Sequence, residues 1–285
     1  MPLTESERLA LEEKACELRC LTVDTVAWAG SGHIGGALSA MDIFVLLYYK
    51  YLRIDPARPD WPDRDRFILS KGHAGVGHAP VLADKGYFDK ELLKTYNHSG
   101  SDFGMHLNSA KVPGVDASTG SLGHGISIAV GTALAARVLG KDYHTYCVLG
   151  DGECDEGQVW EAAMAAAHHK VTNLTLFVDR NHLMIDGPTE EVMSIEPFAD
   201  KWRAFGFIVK QVNGHSFAAL SAALDEALEE KAAPVVIIAD TVKGCGVDEI
   251  AGKVVSHYMG LDDEHIRSAK ESIRRYHDAR IKGVS

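Results

Sequence analysis

Apolar positions recur at helical spacing through the first fifty residues and then give way to short apolar runs. The spacing predicts helices over about Thr4 to Ala29 and Ala37 to Leu52. Between them the cluster Gly30-Ser31-Gly32-His33-Ile34-Gly35-Gly36 reads as a loop that must fit close to something. The Pro- and Asp-rich stretch from Asp55 to Asp65 reads as a surface connection, and Arg66 to Leu69 as a strand running into Ser70-Lys71-Gly72-His73. Tyr96 to Gly125 is Gly-rich and without period, and a loop of that length inside a domain is usually functional. Strands follow at Tyr143 to Leu149, at Leu174 to Val178 and near Phe207 and Val235, alternating with helices such as the Ala-rich Glu156 to His169. A charged helix from about Asp262 to Ile281 closes the chain.

That alternation predicts an α/β fold, a doubly wound, mostly parallel sheet with helices on both faces. No linker, repeat or low-complexity segment divides it, so residues 1–285 read as one domain.

Composition changes the picture by exclusion. With 29 basic against 40 acidic residues the net charge is -11, which disfavours nucleic acid or anionic membrane as a partner. The N-terminus is charged and amphipathic without a signal-type apolar region, and no window offers the roughly 18 apolar residues a membrane span needs. The five cysteines are scattered without a C-x-x-C pair, which suits a reducing compartment. A cytoplasmic protein is expected.

Candidate chemistry begins at Gly150-Asp151-Gly152. The strand, helix, strand unit from Tyr143 to Val178 must cross over right-handed, bringing Asp151 and Asn181 to the same carboxyl edge of the sheet. Ligands of open α/β sheets bind at that edge, and Gly150 and Gly152 let the backbone approach a phosphate at a helix N-terminus. Asp151, the Asn181 amide oxygen and a backbone carbonyl near Leu183, with two phosphate oxygens, would nearly complete the hard-oxygen shell of Mg2+ or Ca2+. Taken alone the triplet is equally a strand-to-helix turn with Asp151 as N-cap. The full pattern, GDG followed by an Ala-rich helix and a buried strand ending in Asn, resembles the cofactor motif of thiamine diphosphate enzymes.

Further segments extend the resemblance: SGHIGGALSAMDIFVLLY, DRFILSKGHA, FGMHLNSAKVPGVDASTGSLGHGI, and TVKGCG followed by SHYMG. In this order and spacing they resemble the N-terminal, diphosphate-binding half of transketolase, across essentially the whole chain. The likeness implies the N-terminal subunit of a split transketolase, with a separate C-terminal subunit carrying the pyrimidine-binding domain in an α2β2 assembly. It implies transfer of a two-carbon ketol unit from a ketose donor to an aldose, with sugar phosphates as substrates and pentose phosphates as the default. A dedicated catabolic ketose is the competitor.

The resemblance also assigns roles. Asp151, Asn181 and the Leu183 carbonyl would hold the metal, with Gly152 donating its amide to the diphosphate and Gly150 letting the backbone approach it. His73 and His257 match histidines that contact diphosphate and substrate, and His33 and His106 match those lining the substrate channel. Gly120 and Leu122 match backbone that meets the aminopyrimidine. Glu156 matches the carboxylate that pairs with a glutamate of the partner, an arrangement that raises one pKa. Lys243 would neutralise phosphate charge or lie solvated in its loop. The remaining ten of the 14 histidines read as structural.

Departures from the family pattern are Ile34 and Ser121, where many members have Pro, and His124, where Gln is usual. Two other readings stand beside this one. The first is the alpha-type subunit of a 2-oxo acid dehydrogenase, which also carries GDG but has less use for the four histidines. The second is a non-catalytic relic that keeps the cofactor site.

Overall fold

Thr4 caps the first helix: its Oγ1 accepts from Glu7 N at 3.2 Å, while the Glu7 carboxylate accepts from Thr4 N at 2.8 Å. The structure, a computed structural model, describes residues 3–283. From this capping box α1 runs over Glu5–Ala29 and stops at Gly30, whose φ of 78° ends the helix in the left-handed conformation.

The next stretch departs from the sequence pattern. Residues 34–36 are helical, not loop, and the expected single helix to Leu52 is divided into α2 (Ile34–Ser39), α3 (Met41–Leu46) and a wider turn over Leu47–Tyr51. Two local causes are visible. A Cβ on Gly35 would lie 2.3 Å from Ser256 Oγ, so this glycine permits helix backbone to touch a distant segment. Ser39 Oγ turns back to the Gly36 carbonyl at 3.2 Å, which competes with the helical ladder where the chain breaks at Ala40.

After β1 (Arg66–Leu69) come α4 (Gly75–Lys85), α5 (His124–Val138), β2 (Thr145–Gly150), α6 (Gly157–His168) and β3 (Leu174–Arg180). The one-turn α7 (Thr189–Val192) precedes α8 (Phe198–Ala204), β4 (Ile208–Asn213), α9 (Phe217–Glu229), β5 (Val235–Asp240) and α10 (Asp263–Ile281). The last helix starts where expected because Asp262 accepts from His265 N at 2.9 Å.

Among the described residues five strands form one parallel sheet in the order β1-β2-β3-β5-β4. Its faces are separated by alternation along each strand. Phe67, Tyr146, Val148, Phe177 and Ile237 pack under α1, α2, α3, α4, α9 and α10. Cys147, Leu149, Leu176, Val178 and Ile238 pack under α5, α6 and α8. Each such side chain removed from water contributes about 1.5–3 kcal/mol, and the α/β architecture follows from covering both faces. The strands are nearly continuous apolar runs for the same reason. Gly150 lies opposite Asp179, and Arg180 opposite Asp240, so Asp151 and Asn181 emerge together at the carboxyl edge.

Buried ions join α1, α3 and α10: Asp42 accepts from Arg19 Nη2 at 2.7 Å and from Arg280 Nη1 at 3.1 Å, and Arg280 Nε reaches Glu12 at 2.7 Å. All five cysteines are unpaired. Among the described residues no helix is long and apolar enough to cross a membrane.

Core histidines set a pH dependence. His78 is buried, with Nε2 2.7 Å from Tyr48 Oη, and burial pushes it down to about 3. An unfolded histidine titrates near 6.5, so below that pH the unfolded chain binds a proton that the folded chain refuses. The stability present above pH 6.5 is therefore lost as pH falls through this window, by about 2 kcal/mol at pH 5 from His78. His144, also pushed by burial to about 3, acts in the same direction. The thermal midpoint should fall steadily between pH 7 and pH 5; a flat profile there would contradict the assignment.

Candidate active site

The carboxyl edge of the sheet opens into a cavity of about 270 Å3. Strand ends supply Gly150, Asp151 and Asn181, the turn after β1 supplies Lys71 and His73, and the N-terminus of α2 supplies His33 and Gly36. The long loop before α5 contributes His106, Gly120 and Leu122, and the segment after β5 contributes Lys243 and His257. All the site residues expected from the sequence line this one cavity except Glu156. Gly120 has φ of 152°, and a Cβ there would meet the His106 ring at 3.0 Å, so the loop passes the imidazole with no room for a side chain.

Glu156 is exposed at the N-cap of α6, outside the cavity lining. It lies beside the Ser121–Gly123 turn, where a Cβ on Gly123 would stand 2.9 Å from its own Cβ. Buried Glu153 takes the inner position, accepting from Gly123 N and Gly150 N at 2.9 Å each and from Ser70 Oγ. It ties the loop before α5 to the end of β2. Sequence reasoning missed this residue, whose only signal was its place two residues after Asp151.

The oxygen donors expected for a cation converge. Asp151 is 2% exposed; its Oδ2 accepts from His182 N at 2.7 Å and Arg180 Nη1 at 3.3 Å, and its Oδ1 from Gly152 N at 2.8 Å. The Gly152 N–H, expected to donate to a diphosphate, is directed at this carboxylate instead. Burial and the nearby Asp179 carboxylate hold Asp151 above the usual carboxylate range. Asn181 Oδ1 accepts from Leu183 N at 3.2 Å, and the Leu183 carbonyl accepts from Lys243 Nζ at 2.9 Å. Each oxygen retains lone-pair capacity. One carboxylate, one amide oxygen and one carbonyl are hard donors suited to Mg2+ or Ca2+, and a divalent cation would relieve the crowding of two buried carboxylates. Among the described residues no three of His, Cys, Asp and Glu cluster as a softer metal would require. The residues present therefore fit a hard divalent cation beside a phosphate.

Lys243 is buried and inside the site, with Nζ 2.9 Å from His257 Nδ1. Burial, then the Lys71 ammonium, pushes it down to about 8. It does not lie solvated in its loop.

Four imidazoles surround one volume. The His33 ring lies 5.2 Å from His73, 5.3 Å from His257 and 6.3 Å from His106, centroid to centroid. Burial, with His106 and Lys243, pushes His33 down to about 4; burial, with Lys243 and His33, pushes His257 to about 3. Burial and the Lys71 ammonium hold His73 well below its ordinary value, and burial lowers His106. The cluster is neutral at pH 7, so each ring carries one donor and one acceptor, the acceptor of His257 being already taken by Lys243 Nζ. His33 Nδ1 is buried and has no hydrogen-bond partner among the described residues. Such an array suits a ligand rich in hydroxyl groups. A larger groove of about 880 Å3 runs along the ends of β4 and β5, but its cations are already paired, Arg280 with Asp42 and Glu12, and Arg180 with Asp151, Glu190 and Glu196.

Comparisons with known proteins agree with this geometry. The family model described as "Transketolase, thiamine diphosphate binding domain" matches residues 11–278. The chain is 40% identical to the 6-deoxy-6-sulfo-D-fructose transketolase subunit SqwG of Clostridium sp. (strain MSTE9), over 94% of this chain and 98% of that subunit. It is 38% identical to one of the apulose-4-phosphate transketolase subunits of Phocaeicola vulgatus, over 93% and 95% of the two chains. Among solved structures, transketolase from Campylobacter jejuni superposes with a TM-score of 0.87 at 33% identity, covering 96% of this chain and 46% of that one. The chain thus spans about half the length of the solved enzyme it matches.

Proposed function

Because the chain belongs to the transketolase family as a thiamine diphosphate-binding domain, we propose that it is the N-terminal subunit of a split transketolase. With a separate subunit that carries the pyrimidine-binding domain, it transfers a two-carbon ketol unit from a ketose donor to an aldose acceptor. The observation that carries the reading is the joining of the Asp151, Asn181 and Leu183 oxygens to four neutral histidines in one cavity. Relatives named as subunits, matched along almost their whole length, support the division into two chains.

In this reading Asp151, Asn181 Oδ1 and the Leu183 carbonyl hold Mg2+ on the diphosphate, with Lys243 offsetting phosphate charge. Thiamine diphosphate, when bound, supplies the carbon nucleophile and the electron sink for breaking and making the carbon–carbon bond. The protein orients the sugar. His33 and His106 bond its hydroxyls, and His73 and His257 complete the polar wall toward the diphosphate. A neutral imidazole accepts a hydroxyl proton as the donor bond breaks and returns one to the product. Glu156 awaits a carboxyl group of the partner at the rim. The four imidazoles favour a sugar over a small oxo acid, which has too few hydroxyl groups to use them.

The donor is a ketose with an anionic tail. One relative is named for a sulfonated ketose and another for a ketose phosphate, and in this reading the tail is bound by the partner. The five free cysteines support a reducing, cytoplasmic setting.

His33→Ala and His106→Ala should each lower turnover with saturating donor by about 10²-fold, the cost of one hydrogen bond that strengthens in the transition state. Affinity for thiamine diphosphate should change little. Steady-state kinetics of the assembled pair against a panel of ketose donors tests both points, and undiminished turnover in both variants would remove the channel assignment.

A further inference from the structure

We propose that Asp179 is a positioning residue that sets which end of the Asn181 amide faces the cavity. The inference rests on the reading of Asn181 as a metal ligand.

Asp179 is the penultimate residue of β3 and is wholly shielded from water. Its carboxylate gathers donors from four segments at the sheet edge. Oδ2 accepts from Lys71 Nζ, from Ser39 Oγ at 2.6 Å and from Asn181 Nδ2 at 3.1 Å, while Oδ1 accepts from Thr241 Oγ1. Every partner of this carboxylate is a donor, and one of them is the ammonium of Lys71, itself 1% exposed. An ionised carboxylate accepts and never donates. Only the NH2 end of Asn181 can therefore face Asp179.

The other end of the amide is constrained with the same sense. Asn181 Oδ1 accepts from Leu183 N at 3.2 Å. Rotating the amide by half a turn would set its oxygen against the carboxylate and its NH2 against a backbone N–H, two repulsive contacts in a buried setting. The fixed orientation keeps the amide oxygen on the side away from Asp179, in a residue that lines the cavity, and a hard cation accepts oxygen where it rejects an amide nitrogen. Lys71 also bonds the Gly36 carbonyl at 2.8 Å, so the same pair anchors α2 beneath the site.

The test is calorimetric titration of Mg2+ into the chain assembled with the subunit carrying the pyrimidine-binding domain, with saturating thiamine diphosphate and with circular dichroism as the check on folding. Asp179→Asn should weaken Mg2+ binding about 10- to 100-fold, the usual cost of losing a partner that orients a metal ligand. Two further variants separate orientation from charge. Lys71→Met/Asp179→Asn removes the ion pair without changing net charge and should stay weak. Asp179→Asn/Asn181→Asp puts a carboxylate at position 181, where both ends are oxygen, and should recover affinity. Recovery in the Lys71→Met/Asp179→Asn protein would overturn the inference in favour of charge alone, as would unchanged affinity in Asp179→Asn. If Asp179→Asn does not fold, the charge-balanced Lys71→Met/Asp179→Asn pair carries the decision. Asn181→Ala is the separate control: unchanged Mg2+ affinity there removes the ligand assignment and this inference with it, whereas weakening there with none in the Asp179 variants removes this inference alone.

Discussion

Asp151→Ala should abolish Mg2+-dependent binding of thiamine diphosphate while leaving the protein folded. Asp151 is the only carboxylate among the three proposed ligands, and the charge count of the ligands dominates affinity for hard cations, so a loss on the order of 10²-fold or more is expected. The fold should tolerate the change because the carboxylate is held at a cost: burial and Asp179 disfavour its charge. Arg180, which loses Asp151 as a partner, keeps Glu190 at 2.8 Å and Glu196 at 3.1 Å. Asn181→Ala should act in the same direction but less severely, since a neutral ligand is lost. Calorimetry with thiamine diphosphate and Mg2+ on the assembled complex decides the matter, and unchanged affinity in Asp151→Ala would show that the cation lies elsewhere.

The second large effect concerns assembly. The chain by itself should show no ketol transfer and bind thiamine diphosphate weakly, and it should gain both properties when mixed with a subunit carrying the pyrimidine-binding domain. The cavity holds groups suited to the diphosphate and the sugar, while Glu156, proposed to face the aminopyrimidine through a partner carboxyl, stands exposed at its rim. Beside it, α5 and α6 leave Ile128 40% and Met164 59% exposed, and Gly131 and Gly157 have open space above them. Small and apolar positions on adjoining helices suit a large apolar interface, and an obligate one buries about 2,000 Å2 or more. Two copies of each subunit are expected. Size-exclusion chromatography with light scattering, coupled to a ketol-transfer assay, checks both parts, and full turnover by this chain alone would overturn the split-subunit reading.

What the sequence disclosed follows the range of the interactions. The capping boundaries of α1 and α10 and the pairing of Asp151 with Asn181 depend on residues close in the chain or on one crossover rule, and they were legible. The break at Ala40 was not, because Ser39 leaves the helical ladder for Gly36 and for Asp179, which lies 140 residues away. Glu153, Lys71 and Asp179 were missed for a related reason: each acts on backbone or side chains from other elements, and nothing in its own neighbourhood marks it. His33 and His257 are far apart in the chain, and only the family resemblance joined them before the structure placed their rings 5.3 Å apart. Lys243, ambiguous by composition, was resolved by its burial.

The segment from Thr241 to Tyr258 has no helix beyond a single turn, yet it carries Lys243 and His257. It is fastened to α2 and its approach at both ends: Gly244 N donates to the Gly35 carbonyl at 2.9 Å, Ser256 packs against Gly35, and Gly32 and Met259 exchange backbone hydrogen bonds at 3.0 and 3.1 Å. Between these fastenings Gly252, Lys253 and Val255 are exposed. The exposed side chains of Lys253 and Val255 can therefore vary, or carry a fluorescent label, while the backbone beneath them stays fixed, since Gly252 N donates to the Lys243 carbonyl at 2.8 Å and Ser256 N to the Lys253 carbonyl at 3.2 Å. These two side chains are an opening for the experimenter within a few residues of the chemistry.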